Sequence, residues 1–171
     1  MKKLLLILLA FSAIVCVFFL LFGLCEVKGD AMSPAIKDKQ KALVWRPGKN
    51  YISRGDVVMY NSNCIFGTCF NDGDTFSRVG RVIGLPNENI WFEGEKIYFQ
   101  KNDRKFSLVE NYTVGKLLAD KDGFEEKIEL GESEYFILSD KRDKKVTTKS
   151  QIVNKKDVVG VLFFVEDKDD K

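Results

Sequence analysis

The N-terminal part of the chain shows no alternation of apolar and polar positions. From Leu4 to Cys25 the sequence is almost wholly apolar and carries no charged residue. A helix rises about 1.5 Å per residue, so a run of this length spans a hydrocarbon core of about 30 Å. The pattern predicts a transmembrane helix over 4–25. A cleaved secretory signal would need an apolar region of about 7–15 residues and a small-x-small exit site, and neither is present.

Beyond Glu26 the pattern changes to short apolar and β-branched segments bounded by glycine and charged residues, which is typical of strands. Ile90 to Phe99 contains two such segments about Gly94 and predicts a hairpin. The polar stretch 100–133 predicts an inserted surface subregion, with a short helix at Val114 to Ala119. The other predicted strands are Lys41 to Trp45, Val57 to Tyr60, Tyr135 to Leu138 and Val158 to Val165. A mainly β domain over 26–171 is therefore expected.

Charge orients the predicted helix. Lys2 and Lys3 precede it, and basic flanks favour the cytoplasmic side of a membrane. Residues 1–3 are therefore expected in the cytoplasm and 26–171 outside the cell, in a single-pass protein of the cell membrane. These two lysines account for the formal net charge of +2, so the rest of the chain is neutral in sum. A neutral domain offers no basic surface excess of the kind that binds nucleic acid.

Histidine is absent from the chain. Its absence excludes Ser-His-Asp and Cys-His catalytic arrangements and zinc sites built on imidazole, and neither a metal nor a cofactor is expected. Cys64 and Cys69 bracket a short segment containing Gly67, and outside the cytoplasm such a pair is expected to form a loop-closing disulfide. Cys16 and Cys25 fall in the membrane run, where they are expected to act as small apolar residues.

Gly29 to Ile36 lies just beyond the apolar run and resembles the nucleophile box of type I signal peptidases, Gly-x-Ser-Met-x-Pro-Thr followed by an apolar residue. Met32, Pro34 and Ile36 fall in step with that box. The position of the nucleophilic serine is occupied by Ala31, whose methyl group cannot attack a carbonyl.

Three further segments resemble boxes of the same family, in the same order. Arg54-Gly55-Asp56 precedes an aliphatic run, as in the family's Arg-Gly-Asp box. Val79 to Pro86 matches Val-Lys-Arg-Val-Ile-Gly-Leu-Pro at every position except that of the general-base lysine, which is Gly80. Ser139 to Asp143 resembles the start of Gly-Asp-Asn-Arg-Asp-Asn-Ser-x-Asp-Ser-Arg. The residues matching these boxes structurally are Gly29, Arg54, Gly55, Asp56, Gly84, Pro86, Asp140 and Arg142.

The resemblance implies a signal-peptidase-type fold of antiparallel strands in coiled sheets, or a partly open barrel, with one N-terminal helix. Members of the family use a serine hydroxyl activated by a lysine, and both are missing at Ala31 and Gly80. Lys145 and Thr147 stand where a supporting serine and aspartate are expected. Two missing side chains should widen the old substrate cleft, which could still hold an extended peptide by strand addition. The residues expected to line it are Asp30, Met32, Ser33, Pro34, Val79 and Arg81.

The chain therefore resembles the inactive signal-peptidase-like proteins of Gram-positive pilus assembly. That resemblance implies a non-cleaving assembly factor or chaperone, with a pilin subunit or other extended peptide and the assembly machinery, a sortase included, as partners. One alternative is an active type I signal peptidase with an atypical site, for which Ser33, expected on an extended segment beside Ala31, is the candidate nucleophile. Another is a structural membrane-surface protein without a peptide site.

Overall fold

The computed structural model describes residues 2–62, 64–65, 68–69, 76–94, 96–102, 104–115, 118–119, 127–142, 145–146 and 151–165. Helix α1 is Lys2–Leu21, and short 3-10 helices cover Arg46–Asn50 and Lys155–Asp157. The strands are β1 Phe22–Glu26, β2 Lys41–Trp45, β3 Val57–Ser62, β4 Cys64–Ile65, β5 Thr68–Cys69, β6 Phe76–Gly84, β7 Asn89–Glu93, β8 Lys96–Lys101, β9 Arg104–Ser107, β10 Leu118–Ala119, β11 Ile128–Glu129, β12 Glu134–Leu138, β13 Lys145–Val146, β14 Ile152–Asn154 and β15 Val158–Val165.

Helix α1 is long and apolar enough to cross a membrane. It ends at Leu21, earlier than the predicted Cys25, and the chain continues directly as strand β1, which pairs antiparallel with β2. An apolar run by itself does not distinguish a helix from a strand. Here the pairing with Lys41–Trp45 decides that Phe22–Glu26 is extended.

The larger sheet follows the order β1-β2-β15-β3-β6-β12-β14, and all of its described pairings are antiparallel. It is open, because β1 and β14 form its two edges. The predicted class, mainly antiparallel β with one N-terminal apolar helix, is confirmed. Strands β4 and β5 form a separate antiparallel pair, and β10 and β13 a parallel one.

The smaller sheet, β11-β7-β8-β9, packs against one end of β6 and β12. The predicted hairpin is β7 and β8, with Gly94 at a φ of 61° in its turn. Gly84 permits the close approach of the two sheets, since a Cβ built there would lie 2.0 Å from Ile90 Cδ1 and 2.9 Å from Phe136 Cβ. The buried cluster between the sheets contains Ile83, Ile90, Phe92, Ile97, Ile128, Leu130, Phe136 and Leu138.

The stretch 100–133 contributes β9, β10 and β11, and Ile128 and Leu130 near its end are buried in the cluster between the sheets. The short helix predicted at Val114 to Ala119 is wrong. Val114 forms a parallel bridge with Lys141, and Leu118–Ala119 is strand β10. Pairing with distant strands has overridden the weak local helical pattern.

Candidate functional site

The segment from Gly29 to Ile36 forms tight turns after β1. The Gly29 N–H donates to Asp38 Oδ1 at 2.6 Å, with a φ of 87° at Gly29. The Ile36 N–H donates to the Met32 carbonyl at 2.8 Å. Met32 and Ile36 are buried with Val27 and Ala42 beneath these turns, and full burial of such side chains stabilises a fold by about 1.5–3 kcal/mol each. The apolar positions of this box therefore anchor it to the domain.

Ser33 lies within these turns, and the prediction that it sits on an extended segment beside Ala31 is wrong. Its N–H donates to the Asp30 carbonyl at 3.0 Å, which bends the chain between the two positions. A backbone hydrogen bond between residues three positions apart is that of a β-turn, which an extended segment does not form. Ser33 is half-buried and Pro34 is exposed.

Ala31 is exposed, and its backbone is tied to the segment that follows β12. The Lys141 N–H donates to the Ala31 carbonyl at 2.9 Å. The Lys141 ammonium forms an ion pair with the Asp30 carboxylate. Lys141, more than a hundred positions along the chain, thus fixes the segment in which the resemblance expects the nucleophile.

A cavity of about 580 Å³ lies beside Ala31. Charged groups of both signs and apolar side chains share its walls, so it can accept a peptide backbone together with apolar side chains. It is lined by the segment 25–32, by Met59 and Tyr60 of β3, by Ser77, Arg78 and Val79 of β6, and by Ser139 and Gln151.

Asp30, Met32 and Val79, three of the predicted cleft residues, are brought together in this cavity wall. The described lining residues do not include Ser33, Pro34 or Arg81. Sequence reasoning missed Tyr60, Arg78, Ser139 and Gln151, which come from four separate segments. The alternation of apolar and polar residues within β3 and β6 did not indicate that these two strands pair.

Gly80 is buried in β6, opposite Val58 of β3. A Cβ built at Gly80 would lie 2.6 Å from Ile137 Cγ2 and 3.4 Å from Tyr60 Cε1. The prediction that the missing side chain at Gly80 widens the cleft is therefore wrong, because Ile137 of β12 fills the space. Burial among these apolar groups also raises the pKa of the Tyr60 hydroxyl.

Arg81 is committed to a buried ion pair. Its Nε and Nη2 donate to the two carboxylate oxygens of Asp140 at 2.8 and 2.5 Å, and its Nη1 donates to the Gly55 carbonyl at 2.8 Å. Asp140 is fully buried. The hydrogen bonds that this carboxylate accepts raise the pKa of Arg81 above its usual value. Arg81 therefore joins its own box, Val79 to Pro86, to Asp140 of the last box and to Gly55 of the Arg-Gly-Asp box. Its role is structural.

The Arg-Gly-Asp segment is also structural. Arg54 Nη2 donates to both oxygens of Glu88, at 2.8 and 2.7 Å, and Nη1 donates to the Ile83 carbonyl. The Arg54 guanidinium also lies 3.6 Å from the centre of the Phe99 ring. Asp56 accepts the Ser53 N–H at 2.8 Å, and Gly55 has a φ of 92°. Glu88, in the turn after Pro86, is the buried partner that sequence reasoning missed.

Arg142 is paired with a residue from the predicted surface subregion. Its Nη2 donates to Glu110 Oε1 at 2.6 Å, and its Nε donates to the Ser139 carbonyl at 2.6 Å. The Tyr112 hydroxyl donates to the same Glu110 oxygen at 3.0 Å. Burial and the Glu110 carboxylate raise the pKa of Tyr112. This network fixes the turn whose Lys141 holds Ala31.

The remaining predicted positions are less informative. Lys145 belongs to β13, Thr147 lies outside the described residues, and nothing is described of the Lys145 side chain. Cys64 and Cys69 are opposite each other in the β4-β5 register, while their side chains lie outside the described part, so the disulfide stays a prediction. Within the described residues, no three Cys, Asp or Glu side chains converge as a metal site would require.

Comparison with known proteins gives consistent matches. The family model described as "Signal peptidase, peptidase S26" matches residues 1–165. Signal peptidase I S of Bacillus subtilis (strain 168) is 27% identical over 157 residues, covering 85% of this chain and 77% of that protein. Signal peptidase I of Bacillus amyloliquefaciens is 28% identical over 156 residues, covering 85% and 76%. A crystal structure of a signal peptidase I from Enterococcus faecalis V583 aligns with a TM-score of 0.44 and 22% identity, over 66% of this chain and 97% of the other.

Proposed function

Because this chain belongs to the signal peptidase family, peptidase S26, we propose that it is a non-cleaving member that binds extended peptides at a membrane surface. The family and the apolar helix α1 support membrane anchoring. The lysines at positions 2 and 3 favour a cytoplasmic N-terminus and an external β domain.

The single observation that carries the proposal is the combination found at Ala31 and Gly80. Ala31 presents a methyl group to the cavity, where a serine hydroxyl would be needed for attack. A lysine at position 80 would have to be buried and neutral to act as a base, and Ile137 occupies the space where its side chain would start. With neither the serine hydroxyl nor the lysine of the family's dyad at these two positions, the site is expected to bind a peptide without cleaving it.

The peptide-binding part of the proposal is supported by the edge of β6. Residues 76–81 of β6 pair with β3 on one side, while β12 covers only positions 81, 82 and 84 on the other. Ser77, Arg78 and Val79 line the cavity there. An extended peptide could add to this edge, with main-chain hydrogen bonds giving affinity.

We extend this proposal to pilus assembly, on the resemblance to the inactive signal-peptidase-like proteins of Gram-positive bacteria. The ligand would be an extended segment of a pilin subunit, held for an assembly enzyme such as a sortase. The protein would then act as a chaperone or assembly factor in protein secretion.

The test uses the full chain in detergent with a preprotein that carries a small-x-small site and a photoreactive group. We expect crosslinking without cleavage. Ala31→Trp should fill the cavity and abolish crosslinking, because Ala31 is exposed in its wall. Ala35→Trp is the matched control, since Ala35 is exposed in the same turns and outside the cavity lining, and it should crosslink like the wild type.

Two results would contradict the proposal. Site-specific cleavage by the unmodified chain that disappears in Ser33→Ala would identify an active peptidase with an atypical nucleophile. Crosslinking that is absent from the wild type, or unchanged in Ala31→Trp, would mean that this cavity binds no peptide.

A further inference from the structure

The Tyr60 hydroxyl is a polar group in the cavity wall that the packing of the domain does not explain. The Tyr60 side chain is 3% exposed and lines the cavity. Its hydroxyl forms no hydrogen bond with any other residue that the structure describes. Every fully enclosed side-chain oxygen or nitrogen in the described residues has a hydrogen-bond partner, so this hydroxyl oxygen must be accessible from the cavity. Because tyrosine hydroxyls usually find a partner when the ring is buried, this one is suited to a bound ligand.

Arg78 of β6 places a positive charge beside this hydroxyl. Tyr60 and Arg78 are directly opposite each other in the register of β3 and β6, and the side chains of such a pair share a face, with Cβ atoms about 4.5–5.5 Å apart. Both residues line the cavity. Burial raises the pKa of Tyr60, and the charge of Arg78 opposes this with a smaller effect. The phenol therefore keeps its proton at neutral pH and acts as a hydrogen-bond donor next to a guanidinium.

The surroundings of the Tyr60 ring are apolar. The ring belongs to the buried cluster that contains Val58, Val82 and Ile137. A Cβ built at Gly80 would lie 3.4 Å from Tyr60 Cε1, so the ring also borders the position of the family's missing base. Hydrogen bonds are electrostatically stronger in such low-dielectric surroundings than in water. A charged ligand group beside Tyr60 would therefore be held more firmly than at an exposed surface.

The other charged residues of the cavity lining do not favour an anion throughout the cavity. Glu26 and Lys28 are both exposed and have opposite charges. Asp30 forms an ion pair with Lys141. Attraction of an anion is therefore expected at one place, close to Arg78.

We propose that Tyr60 and Arg78 form a carboxylate-binding subsite, so that the cavity selects extended peptides with an acidic side chain at one position. This inference rests on the proposed function, because it requires the cavity to bind peptide. Arginine can donate two parallel N–H groups to a carboxylate, and a hydrogen bond from a hydroxyl to a carboxylate is short and strong. A neutral backbone carbonyl would accept from the hydroxyl but would not compensate the charge of Arg78.

The test measures binding of labelled peptides to the full chain in detergent by fluorescence anisotropy. All peptides share one uncharged sequence of alternating Thr and Val, which lets a bound strand shift until its central residue reaches the subsite. The first peptide has a central Glu and an amidated C-terminus, and the second has Gln in place of Glu. The third has the central Gln and a free C-terminal carboxylate. We expect the Glu peptide to bind about 10- to 100-fold more tightly than either Gln peptide, as for hydrogen bonds to charged groups.

Variants then assign this preference to the two residues. Tyr60→Phe removes only the hydroxyl and Arg78→Gln removes the charge, and each should reduce the preference for Glu over Gln by about tenfold. Tyr135→Phe is the matched control for the first, because Tyr135 is buried in the same cluster and is not among the described lining residues. Arg104→Gln is the control for the second, at an exposed arginine of β9. Both controls should keep the wild-type preference.

Four outcomes would overturn the inference. Equal affinity of the unmodified chain for the Glu and amidated Gln peptides would leave peptide binding in place and remove the carboxylate subsite. A preference that survives in Tyr60→Phe or in Arg78→Gln would exclude that residue from the subsite. Tight binding of the third peptide alone would mean that the cavity captures a chain end and not an acidic side chain. If no peptide binds, the proposed function fails and this inference fails with it.

Discussion

Ile137 of β12 lies where a side chain at Gly80 of β6 would begin, with its Cγ2 2.6 Å from the position of a Cβ at Gly80. Isoleucine is stiff at χ1, so this methyl group cannot easily swing aside. Both residues are buried, and Ile137 belongs to the cluster that also contains Val58 and Tyr60. The position of the missing base is therefore filled by core packing.

This packing predicts a strong coupling between the two positions. Gly80→Ala should destabilise the domain by about 1–3 kcal/mol through overpacking, and Ile137→Ala by about 2–5 kcal/mol through a cavity. The double variant should be less destabilised than the sum, by about 0.5–3 kcal/mol, because the added methyl enters the space that Ile137 leaves. Chemical denaturation in detergent measures the free energy of unfolding. Additive effects would mean that Ile137 does not occupy this space.

Restoring the nucleophile should not restore cleavage. Ala31→Ser supplies a hydroxyl without a base, and Ala31→Ser with Gly80→Lys adds a lysine whose first carbon meets Ile137. We expect no processing of a small-x-small preprotein by either variant at any pH, measured by gel. Adding Ile137→Ala to the double variant makes room for the lysine and is the only combination in which traces of cleavage are expected. Efficient cleavage by Ala31→Ser alone would show that another base serves the site.

The buried ion pair between Arg81 and Asp140 should be important for stability. Asp140 is fully buried and Arg81 nearly so, and removing one partner of a buried pair costs about 3–5 kcal/mol because the other charge stays desolvated. Asp140→Ala should lower the free energy of unfolding by that amount. The matched control is Lys105→Met, at an ion pair with Glu93 that is half exposed on both sides, and it should change stability little. Equal effects of the two variants would contradict this role.

Tyr112 should make the protein sensitive to alkali. Burial and Glu110 raise its pKa, so folding favours the neutral phenol. The resulting stability is fully present below the unfolded pKa near 10 and is lost as the pH rises through the raised folded pKa. The melting temperature, measured at a series of pH values, should therefore fall less steeply above about pH 10 in Tyr112→Phe than in the wild type. Tyr51→Phe, at an exposed tyrosine, is the matched control and should keep the wild-type slope.

Cys64 and Cys69 should be joined in the exported protein. Residues directly opposite in an antiparallel pair have Cα atoms about 4.5–5.5 Å apart, within the range that a disulfide bridges. Mass analysis without reductant should find the chain lighter by two hydrogens than its reduced form. Alkylation should then modify Cys16 and Cys25 before reduction and all four cysteines after it. Alkylation of Cys64 and Cys69 in freshly exported, unreduced protein would refute the prediction.

The sequence by itself determined the presence of an apolar N-terminal helix and the position of several strands. Lys41–Trp45 and Val158–Val165 have the predicted bounds, because residue type and alternation act over a few neighbouring positions. The box motifs also located Ala31 and Gly80 without any coordinates. These features are local, and a linear pattern records them.

Only the tertiary structure decided what surrounds those positions. The hydrogen bond from Lys141 to Ala31, the pairing of Arg81 with Asp140 and the packing of Ile137 on Gly80 each join residues that are far apart in the chain. A strand pattern fixes neither the partner strand nor the register, since both depend on how distant segments bury their apolar faces together. For the same reason, the motif shows that the lysine is missing at position 80 but does not reveal that Ile137 fills its place.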